Sequence, residues 1–390
     1  MAYLFTHTMR WYGPDDSVSL RDIRQCGATG VVTALHHVPN GEVWTKEEIE
    51  KRKSQVEEEG LEWKVVESLP ITENMKLGLP QAKREIENYK ISMRHLAEAG
   101  IEVITYNFMP ILDWTRTRLY HELEDGSLAL YFNIADLAAF DLYILKREDA
   151  EEDYTPEILK EARELYEKMS EEGRITLTQN ILAGLPGSEA GYALEDFRER
   201  LAMYDDITAD DLRNHLIGFL KEVVPVAEEL GLKMAIHPDD PPFEIFGVPR
   251  IVSTEEDYDH FIEAVPSLAN GLCFCAGSLG ATPENDIQKM IRKYKDRIHF
   301  MHLRSVEIVS DRHFYEADHL EGNADMVSLI EAFVDDSRRV PIRPDHGHAM
   351  LQDLENKKAN PGYTAIGRMK GLRAIQGIEM ALTAINRKKR

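Results

Sequence analysis

The amino-acid sequence predicts an α/β fold in which eight parallel strands close into a (β/α)8 TIM barrel. Two observations support this prediction. Short apolar runs, most of them rich in β-branched or aromatic residues, recur eight times, and stretches with helical periodicity separate them. Strands that alternate with helices pair in parallel, and eight such units are the number that closes a barrel. The length of 390 residues suits a single barrel domain, 1–390, that carries an insertion.

The predicted strands and helices alternate along the whole chain. Strands are expected at 3–9, 30–35, 63–68, 102–108, 233–238, 272–277, 298–304 and 341–346. Helices are expected at 19–27, 45–60, 80–100, 208–231, 253–265, 283–294, 323–334 and near 366–386. Residues that cap helices mark several of these starts: Thr45 precedes Glu48 by three positions, and Thr208 precedes Asp211 by three.

A long segment between predicted strands four and five breaks the regular alternation. It contains more residues than one crossover helix needs, and residues 116–206 are interpreted as a mostly helical insertion. One helix is expected at 155–173, with Thr155 as N-cap and Pro156 in the first turn. Insertions after a barrel strand lie on the active-site face, so the segment is either a lid or dimer contact, or a structural cap.

Charge and cysteine content restrict the class of protein. The formal net charge of −23 disfavours nucleic acid or an anionic membrane as the main partner. No apolar run approaches the roughly 18 residues of a membrane span, and the first residues do not resemble a secretory signal. Three cysteines without a disulfide framework indicate a reducing compartment. We therefore expect a cytoplasmic protein.

Polar side chains recur where the predicted strands five to eight end. His237, Cys275, His302 and Asp345 come from four successive strands at equivalent positions. The carboxyl ends of barrel strands form one face, and catalytic groups gather there. Two imidazoles, one thiolate and one carboxylate are a borderline-soft ligand set, which suits Fe2+, Mn2+, Zn2+ or Co2+ better than Mg2+ or Ca2+. The sequence therefore predicts a metal site formed by these four residues.

Each of these residues also has a purely structural interpretation. A single buried histidine is more often a hydrogen-bonded core residue, and a single cysteine on a strand is usually a small apolar packing residue. Cys273 competes with Cys275, because residues two apart on a strand point to the same face. Cys275 lies nearer the carboxyl end of its strand, which favours it as the ligand. Four such residues at four equivalent positions are harder to explain by packing alone.

Two candidates for proton transfer flank the predicted metal site. His346 follows Asp345 directly, and Tyr363 lies on the loop after the last strand, beside Gly362. Glycine permits close approach of that loop to the site. Either residue is a general acid or base, or His346 only supports its neighbour and Tyr363 is a surface residue.

Further polar residues at the strand ends are candidates for binding substrate. An arginine guanidinium matches a carboxylate with two parallel hydrogen bonds, although it can pair with an aspartate or glutamate of the protein instead. The substrate-binding candidates are Arg10, Trp11, Asn107, Arg304 and Arg343. The sequence has no glycine-rich nucleotide fingerprint after a strand, no Walker loop and no G-x-S-x-G elbow.

Seven ordered motifs resemble those of the mannonate dehydratase family, which belongs to the xylose-isomerase-like barrels. The motifs are MRWYG (9–13), YNFMP (106–110), IHPDDPP (236–242), FCAGSLG (274–280), HLR (302–304), RPDHGH (343–348) and GYTAIGRMKGL (362–372). The resemblance extends over the whole chain. It departs from the family pattern in having a second thiol, Cys273, on the face of the predicted ligand. The insertion at 116–206 occurs in only part of the family.

The resemblance implies a hydro-lyase that removes water from D-mannonate, a small sugar acid, to give 2-dehydro-3-deoxy-D-gluconate in hexuronate (glucuronate) catabolism. It implies that Mn2+ or Fe2+ is held by the four predicted ligands, and that His346 and Tyr363 take part in proton transfer. Barrels of this kind often form dimers, so a homodimer is expected.

Other functions remain open at the level of the sequence. A metal-dependent sugar isomerase or epimerase shares the fold, but such sites usually have carboxylate-rich ligands, and only Asp345 of the four predicted ligands is acidic. A repair nuclease is disfavoured by the net charge and by the lack of a basic stripe. A non-catalytic barrel that binds sugar acids is the remaining alternative, and it predicts ligand binding without turnover.

Overall fold

The computed structural model describes residues 3–184, 194–356 and 358–389. These residues form twelve strands: β1 (Thr6–Arg10), β2 (Gly30–Thr33), β3 (Glu62–Glu67), β4 (Val103–Tyr106), β5 (Arg118–Glu122), β6 (Leu128–Asn133), β7 (Lys233–Ile236), β8 (Asn270–Cys275), β9 (Ile298–His302), β10 (Ser305–Ser310), β11 (His313–Ala317) and β12 (Pro341–Arg343). Eight of them close into a barrel in the order β1-β12-β9-β8-β7-β4-β3-β2, with every pair parallel. The predicted α/β barrel is confirmed, and each barrel strand overlaps a predicted strand.

Helices alternate with the barrel strands along the chain. The α-helices are α1 (Leu20–Cys26), α2 (Lys46–Glu58), α3 (Glu73–Lys76), α4 (Ala82–Glu98), α5 (Ile134–Ala139), α6 (Pro156–Lys168), α7 (Glu171–Leu182), α8 (Leu194–Ala202), α9 (Ala209–Leu230), α10 (Glu255–Ala264), α11 (Ala276–Leu279), α12 (Ile287–Lys293), α13 (Met326–Glu331) and α14 (Ala365–Lys389). A π-helix spans Phe140–Leu145, and short 3-10 helices span Ala150–Asp153, Lys295–Arg297 and Leu351–Glu355. No helix in the described ranges is both long and apolar enough to cross a membrane.

The ends of the helices follow from local side-chain chemistry. The Thr45 hydroxyl accepts a hydrogen bond from the Glu48 backbone N–H, and Thr208 forms a reciprocal capping box with Asp211. The predicted helix at 155–173 is in fact two helices. The first ends at Lys168, and Ser170 caps the next by accepting from the Gly173 backbone N–H. A serine that offers its oxygen to a new helix start ends the preceding helix at that point.

A second, antiparallel sheet lies beside the barrel in the order β10-β11-β6-β5. The pattern of predicted strands and helices does not include it. One hairpin, β5–β6, opens the segment 116–206, and the other, β10–β11, follows β9 almost directly. The segment is therefore helical only after its first hairpin, and its residues 185–193 lie outside the described residues. We call this sheet the small sheet.

The barrel interior is filled by an apolar layer below the polar strand ends. The layer takes one side chain from each of six strands: Val32, Val65, Val103, Ala235, Cys273 and Phe300. All are at most 4% exposed. Since strand residues two apart share a face, the next inward positions toward the carboxyl ends include Glu67, His237, Cys275 and His302. The dry layer therefore forms the floor of the candidate site.

A surface cavity of about 850 Å3 lies at the other end of the barrel. Its wall includes Thr6, Lys233 and Ile298, which begin or precede their strands. None of the predicted site residues lines it. The amino-terminal face of such a barrel contributes to stability rather than to catalysis.

Candidate metal and catalytic site

The four predicted metal ligands meet at the carboxyl ends of their strands. His237 Nε2 lies 3.1 Å from His302 Nδ1, which lies 3.6 Å from Asp345 Oδ2. Cys275 Sγ lies 3.9 Å from the same Asp345 oxygen. His302, Cys275 and Asp345 each offer an atom within 4.8 Å of the others, and all three are buried. Strand pairing sets this arrangement, because Cys275 is in register with His302, and His302 with Arg343.

Neighbouring groups determine which nitrogen of each histidine faces the cluster. His237 Nδ1 lies 2.7 Å from the Pro238 carbonyl oxygen and donates to it, so Nε2 keeps its lone pair toward His302. His302 Nε2 faces Glu67 Oε1 and Cys273 Sγ, each at 3.3 Å, so Nδ1 faces His237 and Asp345. The free lone pairs of both rings therefore point into one space, as metal ligands require.

The two thiols of β8 have different surroundings. The Ser278 backbone N–H and hydroxyl both donate to Cys275 Sγ, at 3.5 and 3.1 Å. Cys275 is also the N-cap of α11, so its sulfur is placed as an acceptor. Cys273 lies in the apolar layer, and burial raises the pKa of its thiol well above the usual value. The hydrogen bonds from Ser278 therefore place the Cys275 sulfur as an acceptor, whereas burial favours the neutral form of the Cys273 thiol.

Asp345 adopts an unusual backbone conformation. Its φ is 57°, in the left-handed region that aspartate tolerates better than most residues. This conformation ends the alternation of β12, so the consecutive side chains of Asp345 and His346 both reach the site. His346 Nε2 lies 3.8 Å from Asp345 Oδ1. A non-glycine residue held in this region is a typical feature of functional sites.

Buried charges of alternating sign surround the predicted ligands. Arg343 donates to Glu67 at 2.9 Å and pairs with Asp345, to which Arg304 donates from Nε at 2.7 Å. We call the connected set the charge network; its members are Arg10, Arg116, Arg304, Arg343, Glu67, Asp240, Glu316 and Asp345. Four guanidinium groups balance four carboxylates, and this pairing offsets the cost of burying the charges.

The charge network keeps its carboxyl groups ionised. Burial alone would raise the pKa of Asp345, but Arg343, His346, His302 and Arg304 together hold that pKa well below the usual value. The same opposition acts on Glu67, whose pKa is lowered by Arg343, His302 and Arg10 against the effect of burial. At neutral pH, Asp345 is therefore an anion able to bind a cation.

His346 and Tyr363 lie side by side next to the same oxygen of Asp345, Oδ1. The Tyr363 hydroxyl donates to Asp345 Oδ1 at 3.2 Å and accepts from Arg343 Nη1 at 3.3 Å. Its ring packs edge-on against the His346 imidazole, with centroids 5.1 Å apart. Burial raises the pKa of Tyr363 well above its usual value, so the hydroxyl keeps its proton. The structure thus brings both predicted proton-transfer residues to the predicted ligand set.

The five substrate-binding candidates differ in whether their polar groups are already used by the protein. Within the described residues, the Nε atoms of Arg10 and Arg343 are buried without a hydrogen-bond partner, so each side chain has an unused donor. Asn107 is half-buried and bonds to Asp113. The three nitrogens of Arg304 all donate to protein groups, which leaves that side chain to hold Asp345 rather than a ligand.

Trp11 is not brought into the site. Its ring is 5% exposed and lies under the Arg52 guanidinium, with 5.1 Å from Cζ to the ring centroid. Arg52 in turn donates to the Ala34 carbonyl and the Thr33 hydroxyl. Consecutive side chains of an extended chain point in opposite directions. Trp11, which follows Arg10, therefore points outward, away from the barrel interior.

Four members of the charge network were missed as site residues. Glu67 ends β3, so it shows the same sequence pattern as the predicted ligands: a polar residue at the end of a barrel strand. Asp240 lies on the loop after β7, three residues after His237. Glu316 lies on β11, and Arg116 lies two residues before β5, so no barrel pattern indicates them. An Asp-Gly turn, Asp125-Gly126, within alternating residues was the available signal for the first hairpin.

Comparisons with known proteins agree on one family. The family model described as D-mannonate dehydratase (UxuA) matches residues 5–389. The chain is 47% identical to a mannonate dehydratase of Saccharophagus degradans, over 97% of this chain and 98% of that protein. It is 49% identical to a mannonate dehydratase of a Marinomonas species, over 96% of this chain and 98% of that protein.

A solved structure gives the same result. The crystal structure of mannonate dehydratase from Streptococcus suis serotype 2 superposes with a TM-score of 0.80 at 35% identity. The match covers 99% of this chain and 95% of that one. From the family model, the sequence identities and this superposition, the chain belongs to the D-mannonate dehydratase family.

Proposed function

We propose that the chain removes water from D-mannonate to give 2-dehydro-3-deoxy-D-gluconate, as a metal-dependent hydro-lyase of hexuronate (glucuronate) catabolism. One observation carries the proposal beyond family membership. Four ligand-type side chains from four consecutive barrel strands converge, and two proton-transfer candidates contact or approach one of them, Asp345. A binding protein has no need of this combination, since proton donors beside a metal site serve bond making and breaking.

We propose that His237, Cys275, His302 and Asp345 hold the ion, and that it is Mn2+ or Fe2+. An ion about 2.0–2.3 Å from each ligand atom separates neighbouring ligand atoms by roughly 3–4 Å. The separations of 3.1, 3.6 and 3.9 Å within the cluster fit that requirement. The mixed nitrogen, sulfur and oxygen set suits these transition metals better than Mg2+.

The charges support a carboxylate substrate. The charge network is balanced by itself, so a divalent cation and the Cys275 thiolate together add one positive charge. The carboxylate of a sugar acid offsets that charge. Arg10 and Arg343 both pair with Glu67, which contacts His302, and their unpartnered Nε atoms are the donors that we propose for such an anion.

The reaction needs two proton transfers that the chain itself can supply. When bound, the divalent ion stabilises the negative charge that develops on the substrate as the C2 proton leaves. A base accepts that C2 proton, and the C3 hydroxyl leaves as water only when an acid protonates it. His346 and Tyr363 share these two roles in our proposal. Tyr363 is the candidate donor, because its hydroxyl carries a proton at neutral pH and lies in hydrogen-bond contact with Asp345.

We also propose that the enzyme is a cytoplasmic homodimer that acts on small molecules and binds neither nucleic acid nor membranes. The net charge of −23 supports the exclusion of polyanions. Light scattering on the purified protein measures the oligomeric state, and a monomeric mass at enzyme concentrations used for assay contradicts the dimer.

The function is tested with protein stripped of metal and assayed anaerobically with D-mannonate. We expect formation of the 2-keto-3-deoxy acid after addition of Mn2+ or Fe2+, and little after Mg2+. An isomerised acid without loss of water supports the epimerase alternative. Binding of D-mannonate without any product, in folded and metal-loaded protein, supports the non-catalytic alternative.

Replacing Gly362 with alanine is expected to lower kcat about tenfold while metal content is unchanged. A Cβ at this position lies 3.3 Å from two ring atoms of His346 and 2.9 Å from Leu130, so the loop and the imidazole must separate. A shift of about 1 Å in a catalytic group is enough for a large loss of rate.

Gly100 provides a matched control for that substitution. Both glycines have φ of 79°, so alanine causes the same backbone strain at each. Among the residues that the structure describes, a Cβ at Gly100 meets no atom within 4 Å. Gly100→Ala should lower the melting temperature as Gly362→Ala does and leave kcat intact. Equal losses of kcat in both variants count against an effect on His346.

A further inference from the structure

Glu316 is the residue whose side chain reaches the candidate site from the small sheet. It lies on β11, opposite Val306 of β10, and its side chain is 2% exposed. Its Oε1 lies 3.1 Å from His346 Nδ1. The Glu316 backbone carbonyl also accepts from His348 Nε2 at 2.8 Å. The same residue therefore contacts two histidines of the RPDHGH motif.

The two nitrogens of the His346 ring face different groups. Nδ1 faces Glu316, whereas Nε2 faces the Asp345 carboxylate at 3.8 Å, on the side of the predicted ligands. An ionised carboxylate accepts but cannot donate, so in the neutral ring the Glu316 contact places the proton on Nδ1. Nε2 is then free to exchange a proton with the substrate. Carboxylate–histidine pairs in other enzymes orient a catalytic imidazole by this contact.

Glu316 is itself held firmly. Arg304 donates to both of its carboxylate oxygens at 2.9 Å, and Arg116 donates to Oε1 at 2.6 Å. Asp240 holds the other side of both guanidinium groups, at 2.7 Å from each. These contacts leave the carboxylate little freedom to turn. His346 consequently binds to a fixed acceptor.

We propose that Glu316 is the positioning residue of His346: it sets the tautomer and the ring orientation that proton transfer to the substrate requires. The inference rests on the proposed function, since it assigns a role to a residue beside the reacting group. It also gives the small sheet a part in the reaction, because that sheet brings a carboxylate to the site that no barrel strand supplies.

A purely structural role is the alternative. In that case Glu316 only neutralises Arg116 and Arg304, and its loss lowers stability without a specific effect on turnover. The two roles can be distinguished by mutation, because the charge of residue 316 and its contact with His346 can be changed independently. Glu316→Asp keeps the charge and shortens the side chain by one methylene. Glu316→Gln keeps the length and removes the charge.

The test measures kcat, KM, metal content and melting temperature for both variants, with D-mannonate and Mn2+. Positioning predicts that each variant lowers kcat about 10- to 100-fold, with metal content unchanged and KM altered less than threefold. Glu307→Gln is the matched control, because Glu307 lies on the same small sheet and contacts no site residue among those described. It should keep the wild-type values.

A double-mutant cycle with His346→Gln makes the test decisive. If Glu316 acts through His346, adding Glu316→Gln to His346→Gln changes kcat less than threefold. Additive losses, or a Glu316→Asp variant with wild-type kcat, overturn the proposal.

A spectroscopic measurement separates this inference from the proposed function. Nitrogen-15 NMR of metal-free protein labelled at histidine reports which ring nitrogen is protonated, and His346→Gln identifies the signal. We expect the Nδ1–H form in the wild type and a shift toward Nε2–H in Glu316→Gln. An unchanged tautomer overturns the proposal. A failure of the wild type to dehydrate D-mannonate leaves this NMR result intact and counts against the proposed function alone.

Discussion

Replacing Cys275 with alanine is expected to remove the bound metal and to lower kcat by about three orders of magnitude or more, whereas Cys273→Ala should keep both within about tenfold. A metal that stabilises developing charge contributes several kcal/mol to the transition state, and about 4 kcal/mol corresponds to a factor of 10^3. The two substitutions remove the same atom from neighbouring inward positions of one strand. They form a matched pair in which only the surroundings differ.

The surroundings explain the expected difference. Ser278 donates two hydrogen bonds to Cys275 Sγ, which lies 3.9 Å from Asp345. Cys273 contacts the Nε2 atom of His302, on the side of the ring turned away from the predicted ligand set. Its thiol is held neutral by burial and packs in the apolar layer. Losing it leaves a small cavity and costs about 1 kcal/mol of stability.

Metal analysis and cobalt substitution check this pair. Metal content per folded chain is measured after anaerobic reconstitution, and the thiolate-to-cobalt charge-transfer absorption reports on a bound sulfur. The absorption should disappear in Cys275→Ala and persist in Cys273→Ala. If the absorption instead persists in Cys275→Ala and disappears in Cys273→Ala, Cys273 is the sulfur ligand. The metal is then held by the alternative group of His237, Cys273 and His302, whose atoms also lie within 4.8 Å of one another.

The barrel could be predicted from the sequence because each of its strands has a local signature. A parallel strand covered on both faces is a short apolar run, and eight such runs separated by helices permit few other folds. The small sheet lacked that signature, since its outer strands are partly exposed and lie next to predicted helices or barrel strands. Its pairing joins β6 to β11, which are about 180 residues apart, so no local pattern reveals it.

The residues of the candidate site fall into the same two groups: those that a local sequence pattern predicts and those that only the tertiary structure reveals. Residues at the ends of barrel strands, such as His237 and Asp345, follow from a one-dimensional rule about where catalytic groups gather. Glu316 reaches the site from a hairpin, and Arg116 reaches it from the residues just before one; both positions depend on tertiary packing, which no local sequence pattern predicts. The face of Trp11 could have been predicted from its neighbour, since adjacent extended residues point in opposite directions. The rule that polar residues at strand ends bind substrate is not sufficient for Arg304, because only the structure reveals that its donors already bond to protein groups.

Tyr363→Phe is expected to lower kcat by about 10^3 while metal content stays within twofold of the wild type. Proton transfer from a positioned group contributes about 10^2 to 10^4 in rate. Phenylalanine keeps the edge-on ring contacts with His346 and Tyr12, whose centroids lie 5.1 and 5.2 Å away. The substitution therefore removes the hydroxyl and little else, and any loss of rate belongs to that group.

Tyr106→Phe is the matched control for the loss of a buried phenolic oxygen. Tyr106 is fully buried on β4, and within the described residues its hydroxyl has no hydrogen-bond partner. Removing that oxygen should leave kcat unchanged and stability unchanged or improved, because an unpaired buried polar atom is unfavourable.

Comparison of kcat with metal content decides what the Tyr363 hydroxyl does. It donates to Asp345, a predicted ligand, and accepts from Arg343, so two roles are open to it. If it only orients Asp345, Tyr363→Phe loses metal and activity in parallel, and excess Mn2+ restores the rate. If it transfers a proton, the fully metal-loaded variant remains slow at every metal concentration. We expect the second result, because Arg343 and Arg304 both still hold the Asp345 carboxylate after the hydroxyl is removed.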